Sequence, residues 1–173
     1  MGIVPDTKDW TWVLERPCAE CGLDATDVQP EHLPSALRTN AGAWAAVLRL
    51  PEVRRRPAAA VWSPLEYACH VRDVHRTMRG RVLLMLEQEA PTFANWDQDA
   101  TAVAERYGEQ EPSAVGDELA QAAEAAADAY AQVSGPAWHR VGLRSGGSRF
   151  TVASLGRYHL HDVVHHLRDV PAG

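Results

Sequence analysis

The chain contains few cysteines, a single lysine and no long apolar run. Its 173 residues carry a net charge of −6, and the sequence pI is about 5.7. An acidic chain is a poor ligand for a nucleic-acid backbone, and its one basic run, at residues 54–56, is interpreted as a solvated loop. No segment approaches the ~18 apolar residues of a membrane span, and residues 1–10 lack the pattern of a secretory signal. We therefore expect a cytoplasmic protein that binds neither nucleic acid nor membrane.

The cysteines do not define a familiar framework. Three cysteines cannot all pair, and two of them, Cys18 and Cys21, form a single Cys-x-x-Cys. A structural zinc site normally needs a second such pair or two histidines at ligand spacing. His32 is a lone candidate partner for the two cysteines. A redox dithiol is expected at a helix start after a strand, whereas this segment is bounded by Pro17 and Gly22. We interpret it as an ordinary turn, with redox and metal-binding roles as alternatives.

The apolar pattern predicts an all-α protein with a four-helix bundle. Apolar residues recur at three- and four-residue steps in four segments, each followed by proline or glycine. The predicted helices cover residues 34–50, 63–89, 113–133 and 151–169. A short helix is expected near residues 100–106, and a loop or hairpin over 137–150. We divide the chain into an irregular N-terminal arm, residues 1–29, and a bundle, residues 30–173.

Histidines are concentrated near the C-terminus. Four of the eight histidines lie between His159 and His166. Residues four apart on a helix share a face and lie about 6 Å apart, so His161 and His165 can bind one ion. His159 and His166 are about two turns apart, which is too far to chelate together. The spacing therefore predicts a metal-binding pair at His161 and His165.

A third ligand is expected from another helix, and His70 is the strongest candidate. Ser63 and Glu66 form a capping box around Pro64, which is typical of a helix start. His70 follows about two turns later, whereas His75 is rotated by roughly 140° and is expected at the surface. Metal sites in bundles are built from inward-facing side chains of neighbouring helices. A His70, His161 and His165 site fits that construction.

Two segments resemble the DinB-like superfamily, a group of metal-binding four-helix bundles that includes bacterial thiol S-transferases. They are residues 62–70 (WSPLEYACH) and 158–167 (YHLHDVVHHL), within an overall likeness over about residues 30–170. Members hold a divalent metal with one histidine of the second helix and two, four apart, of the last long helix. The resemblance implies that His70, His161 and His165 are these ligands. It leaves the arm outside the shared bundle.

Three imidazoles would leave a divalent ion an open position and its full charge. Such an ion lowers the pKa of a bound water or thiol, and zinc or nickel suits a nitrogen-rich site. The resemblance implies transfer of a low-molecular-weight thiol to an electrophile. The arginine-rich, lysine-poor composition is typical of a GC-rich genome, and in an actinobacterium the thiol would be mycothiol-like. The alternatives are a non-catalytic metal or small-ligand binding stress protein and a related metal-dependent isomerase or hydrolase.

Polar residues close to the predicted ligands are candidates for supporting roles. Asp73 is three residues from His70, and Asp169 is four from His165, so either could hold a ligand's second nitrogen. Arg157 could bind a substrate carboxylate, or it is an ordinary surface arginine. Asp162 is expected to pair with His166.

The tryptophans leave the oligomeric state open. Four of them lie in the predicted arm and loops, so they could form an apolar surface: Trp10, Trp12, Trp96 and Trp138. That surface predicts either a homodimer or an arm folded over its own bundle.

Overall fold

The helices lie close to where the sequence predicts them. A computed structural model of the protein describes residues 8–170. Its α-helices are α1 Leu33–Val47, α2 Pro64–Glu87, α3 Gln98–Ala104, α4 Pro112–Ala131 and α5 Val152–Asp169. The four long ones form the predicted bundle, and α3 is the short helix of the connection. Among the residues described, no helix is long and apolar enough to cross a membrane.

Both helices that carry candidate ligands begin at a capping box. At α2, the Ser63 hydroxyl accepts a hydrogen bond from the Glu66 amide, while the Glu66 carboxylate accepts one from the Ser63 amide. At α5, Thr151 and Ser154 make the equivalent reciprocal pair. Each box satisfies amide groups that a helix N-terminus otherwise leaves unpaired. The starting points of α2 and α5 are therefore well defined.

A small sheet accompanies the bundle. Its strands are β1 Thr92–Phe93, β2 Val141–Arg144 and β3 Arg149–Thr151, in the order β1-β2-β3. Strands β2 and β3 form the predicted hairpin, and β1 pairs with β2 in parallel. A two-residue strand has no readable periodicity, which is why the sequence indicates nothing at β1.

Each long helix packs against two others. Helix α2 lies between α4 and α5, and α1 also lies between α4 and α5, so α1 and α2 are diagonal in the bundle. Gly156 lets α5 approach closely, because a Cβ added there would be only 2.4 Å from a methyl carbon of Leu33. The Asn40 side chain of α1 donates a hydrogen bond to the Val163 carbonyl oxygen of α5 at 3.1 Å. These contacts set α5 directly beside α1.

The described part of the arm lies against α5. It contains short 3-10 helices at Trp10–Leu14 and Ala25–Asp27, and a third, Pro30–His32, leads from the arm into α1. The Arg157 side chain of α5 donates a hydrogen bond to the Val28 carbonyl oxygen at 3.0 Å. The arm thus packs on its own bundle, which is one of the two arrangements that the tryptophans predict, and dimer formation stays a prediction.

Candidate metal centres

Two groups of potential metal ligands lie side by side on α5. One consists of His70, Asp162 and His166, and the other of Cys18, Cys21, His161 and His165. In each group, one ligand atom per residue lies within 4.8 Å of all the others. Each group contains an i,i+4 pair of α5, and the two pairs are offset by one residue, about 100° around the helix. Helix α5 therefore presents one pair to α2 and the other to the arm.

The first group has the spacing of side chains that share one ion. The Asp162 Oδ1 atom lies 3.6 Å from His70 Nε2 and 3.4 Å from His166 Nε2. Ligand atoms bound at about 2.1 Å in a tetrahedral arrangement are about 3.4 Å apart. These distances exceed those of good hydrogen bonds.

Two residues of this group, His70 and Asp162, have buried polar atoms without a hydrogen-bond partner. Both ring nitrogens of His70 and the Oδ1 atom of Asp162 lack a hydrogen bond, although buried polar groups are nearly always paired. The His70 ring is fully buried and stacks on Trp96, with a ring-centroid separation of 5.4 Å. An ion between the three side chains would satisfy His70 Nε2 and Asp162 Oδ1, so the residues fit a divalent metal.

The protonation states also suit a metal ligand set. Burial lowers the pKa of His70, so its imidazole is neutral near pH 7. Burial alone would raise the pKa of Asp162, but His70 and His166 hold it well below its usual range. Metal binding requires neutral imidazole and ionised carboxylate, and both forms are present before any ion arrives.

The structure separates His70 from the histidine pair that the sequence assigns to it. His161 and His165 lie together, as their spacing predicts, but the ring of His70 meets Asp162 and His166 instead. Among residues 8–170, no ligand group joins His70 to His161 or His165. The reason is the rotational position of α5, which turns the earlier pair towards the arm. Asp162 does approach His166, as expected, but as a member of the group that contains His70.

The Cys-x-x-Cys is a turn, as interpreted, but it also faces the other histidine pair. The Gly22 amide donates to the Cys18 carbonyl oxygen at 2.8 Å, and Gly22 adopts a positive φ of 78°. The Cys18 Sγ atom lies 3.7 Å from His165 Nδ1. The two histidines at ligand spacing that a zinc site requires are thus present, but 147 residues further along the chain. The signal for this group in the sequence is the combination of a Cys-x-x-Cys with a His-x-x-x-His, although the two motifs lie far apart.

The predicted supporting residues have different positions. Asp73 accepts hydrogen bonds from Arg72 and from the Tyr107 hydroxyl, the latter at 2.6 Å. Arg157 binds the arm, as described above. Asp169 lies 2.9 Å from His166 Nδ1 and 3.8 Å from His165 Nε2. Of the three predicted supporting residues, Asp169 is therefore the one that faces the second nitrogen of a potential ligand, and it does so in both groups.

His75 is not at the surface, so that expectation was wrong. It is fully buried, and its Nδ1 atom lies 2.9 Å from His159 Nε2. His159 Nδ1 in turn lies 3.3 Å from the Tyr130 hydroxyl. Helix α2 packs between two other helices, so a rotation of 140° from His70 still points into the core. Burial lowers the pKa of His75 to about 4 and that of His159 well below its usual range.

An open cleft of about 580 Å³ borders both groups. Its lining includes aromatic side chains, two cations and members of both groups, among them Trp10, Trp62, Tyr67, Trp96, Lys8, Arg144, His161, Asp162, His165 and His166. His70 does not line the cleft and is fully buried. The side chains of Asp162 and His166 remain 21% and 19% exposed, so a molecule in the cleft can approach the first group.

The fold and the first group define a helical bundle whose side chains fit a divalent metal. The chain belongs to the DinB superfamily, whose sequence model matches residues 14–170. The predicted family is therefore confirmed, and the matched region begins within the arm and includes both cysteines of the Cys-x-x-Cys.

The fold is also similar to a solved structure. YfiT from Bacillus subtilis, described as a probable metal-dependent hydrolase with an unusual four-helix bundle topology, superposes with a TM-score of 0.63 at 16% identity. The likeness covers 96% of this chain and 89% of YfiT, and at this identity it shows the fold alone. No curated protein matches the sequence.

Proposed function

We propose that His70, Asp162 and His166 hold one divalent metal ion and that the protein acts on a small molecule bound in the adjoining cleft. The observation that carries this proposal is the set of buried, unpaired atoms on His70 and Asp162, which converge at ligand spacing. Two imidazoles and one carboxylate are the donor set of many catalytic zinc sites. Zinc or nickel is the metal we propose.

When bound, such an ion would supply a Lewis acid that lowers the pKa of a small nucleophile. The protein residues would supply the rest. Asp169 holds Nδ1 of His166, which orients the ring so that Nε2 faces Asp162. Trp96 stacks on His70 and shields that ring from solvent.

We propose a low-molecular-weight thiol, mycothiol-like, as the nucleophile, and an electrophile as its acceptor. The cleft volume lies in the range that holds ligands of this size. Its aromatic walls suit an apolar portion of the substrate, while Lys8 and Arg144 on the same lining suit carboxylate or other anionic groups.

A metal-dependent hydrolase is the second candidate. It is favoured by the description of YfiT and by Asp97 and Asp99 on the cleft lining, since a water nucleophile needs a group to accept its proton. A non-catalytic binding protein is the third candidate, and it predicts metal binding without turnover.

The test is a panel of thiols with a generic electrophile, run beside a panel of activated esters and amides. Each is assayed with stripped protein and after addition of zinc or nickel. We expect a metal-dependent rate with at least one thiol and its loss in Asp162→Asn. A rate with esters alone would select the hydrolase, and metal binding without any rate would select the binding protein.

A further inference from the structure

The remaining ligand group, which contains the two cysteines of the arm, has a different set of donor atoms. We propose that Cys18, Cys21, His161 and His165 bind a zinc ion in a closed tetrahedral site that fastens the arm to α5. The proposal is independent of the function proposed above, because it concerns other residues.

The donors have the identity and spacing of a structural zinc site. Two cysteines separated by two residues and two histidines separated by three are the usual spacings in zinc fingers. All four ligand atoms lie within 4.8 Å of one another. Zinc–sulfur and zinc–nitrogen bonds of about 2.3 and 2.0 Å place the two ligand atoms about 3.5 Å apart in a tetrahedron, and Cys18 Sγ and His165 Nδ1 are 3.7 Å apart.

The potential ligand atoms of this group include two thiols that form no disulfide and one ring nitrogen without a hydrogen-bond partner. The two cysteines are free thiols. The Nε2 atom of His161 is buried and has no hydrogen-bond partner, which is costly unless an ion or a donor is supplied. Zinc binding would release the two thiol protons to solvent and leave a site with no net charge.

Surrounding side chains support His165 as a ligand. Its Nδ1 atom faces Cys18, so its Nε2 atom is left for a hydrogen-bond acceptor. That atom lies 3.5 Å from a carboxylate oxygen of Glu20 and 3.8 Å from one of Asp169. Carboxylates placed behind a ligand histidine fix its tautomer and orientation. Glu20 belongs to the Cys-x-x-Cys turn itself, so this turn supplies both ligands and support.

The site is closed, which indicates a structural role. Four protein ligands complete the tetrahedron and leave no position for substrate. Cys18 is 1% exposed and His161 is 3% exposed. The Trp10 ring covers both histidines, with centroid separations of 5.6 Å to His161 and 4.9 Å to His165.

The consequence for the cleft follows from what the arm carries. Lys8 and Trp10 belong to the arm and line the cleft beside the first group. An ion at the cysteine-containing site would hold these two residues in place, although it takes no part in chemistry. Loss of this ion should therefore remove one wall of the cleft while leaving His70, Asp162 and His166 together.

Cobalt substitution distinguishes the two sites without an activity assay. Reduced, metal-free full-length protein is titrated with Co²⁺ and followed by absorption. We expect two bound ions per chain, one of which produces a thiolate-to-cobalt charge-transfer band. Cys18→Ser should abolish that band and bind one ion fewer. Asp162→Asn should also bind one ion fewer but keep the band.

A second measurement tests whether the ion stabilises the arm. Hydrogen exchange at the Cys18 and Gly22 amides, both bonded within the turn, should accelerate when wild-type protein is stripped of metal. Cys21→Ser, at a less buried position, replaces Cys18→Ser if the latter fails to fold by circular dichroism. A wild-type protein without a thiolate band would overturn the proposal. So would a Cys18–Cys21 disulfide in freshly purified, air-protected protein with zinc in excess.

Discussion

The two candidate metal groups share one helix but differ in donors, access and support. His70, Asp162 and His166 offer two imidazoles and a carboxylate from two bundle helices, and two of the three side chains border an open cleft. The cysteine-containing group adds thiols from an irregular arm and is covered by Trp10. A ligand set that leaves a coordination position open, on rigid helices, is typical of a catalytic site. A ligand set that fills all four positions and joins two segments of the chain is typical of a structural site. Neighbouring histidines on one helix can therefore belong to different ligand groups.

The largest expected effect separates the groups by activity. Asp162→Asn removes a charged ligand from the first group, so we expect metal-dependent turnover to fall by more than about 100-fold, beyond the loss typical of outer-shell changes. Steady-state kinetics with the best substrate of the panels measures it. Glu52→Gln, at an exposed residue paired with Arg55, is the control. Full turnover by Asp162→Asn would remove the first group from the mechanism.

The next prediction distinguishes the two groups by their effect on the stability of the fold. An ion at the cysteine-containing site stabilises the fold by about 2.7 kcal/mol when free zinc is 100-fold above its Kd. Chelation should therefore lower the Tm by roughly 5–11 °C in a chain of this size. The measurement is calorimetry of Asp162→Asn, in which the first group is already disabled. A Tm insensitive to chelator in that variant, and equal to that of Asp162→Asn combined with Cys18→Ser, would contradict a structural ion.

A third prediction concerns the residue between the groups. Asp169 faces His166 and His165, so Asp169→Asn should weaken both ions, each by about 10- to 100-fold. Competition titrations against a chromophoric chelator measure the two affinities. Asp73→Asn is the matched control, because Asp73 binds Arg72 and Tyr107 rather than a ligand histidine. If Asp169→Asn changes only one affinity, the carboxylate supports one site alone.

The smallest effect distinguishes ligand histidines from histidines that are only buried. Burial lowers the pKa of His75 to about 4 in the folded protein, against about 6.5 when unfolded. The stabilisation that neutral His75 gives the folded state is complete above pH 6.5. It is lost as the pH falls towards 4, because the unfolded chain then binds a proton at His75 that the folded protein does not. Between pH 7.5 and 5.5 this loss is about 1.4 kcal/mol.

His75→Gln should reduce that pH dependence by the same amount. Urea unfolding at the two pH values, in excess chelator, is the measurement. The variant's metal content at pH 7.5 should equal that of wild type. An unchanged pH dependence in His75→Gln would mean that His75 is already protonated or is solvated in the native state.

Local features of this protein could be predicted from the sequence, and relative orientations could not. The capping box at Ser63 and the spacing of His161 and His165 depend on contacts within one helix, so the sequence contains them. Which pair faces His70 depends on the rotation of α5 about its own axis. Contacts between α5 and α1, such as Gly156 on Leu33, contribute to that rotation. The partners of the cysteines depend on how the arm crosses α5, a long-range contact without a local signal.

The direct passage from strand to helix at Thr151 has a further consequence. Thr151 ends β3 and is also the N-cap of α5, so no linker lies between them. The angular position of each later side chain therefore follows from counting residues after the strand. One residue inserted before His161 would turn the following residues by about 100°. His161 and His165 would then take the places that face His70, and a three-imidazole set would arise without any substitution. In a helix anchored in this way, an insertion or deletion changes ligand chemistry more directly than a point mutation does.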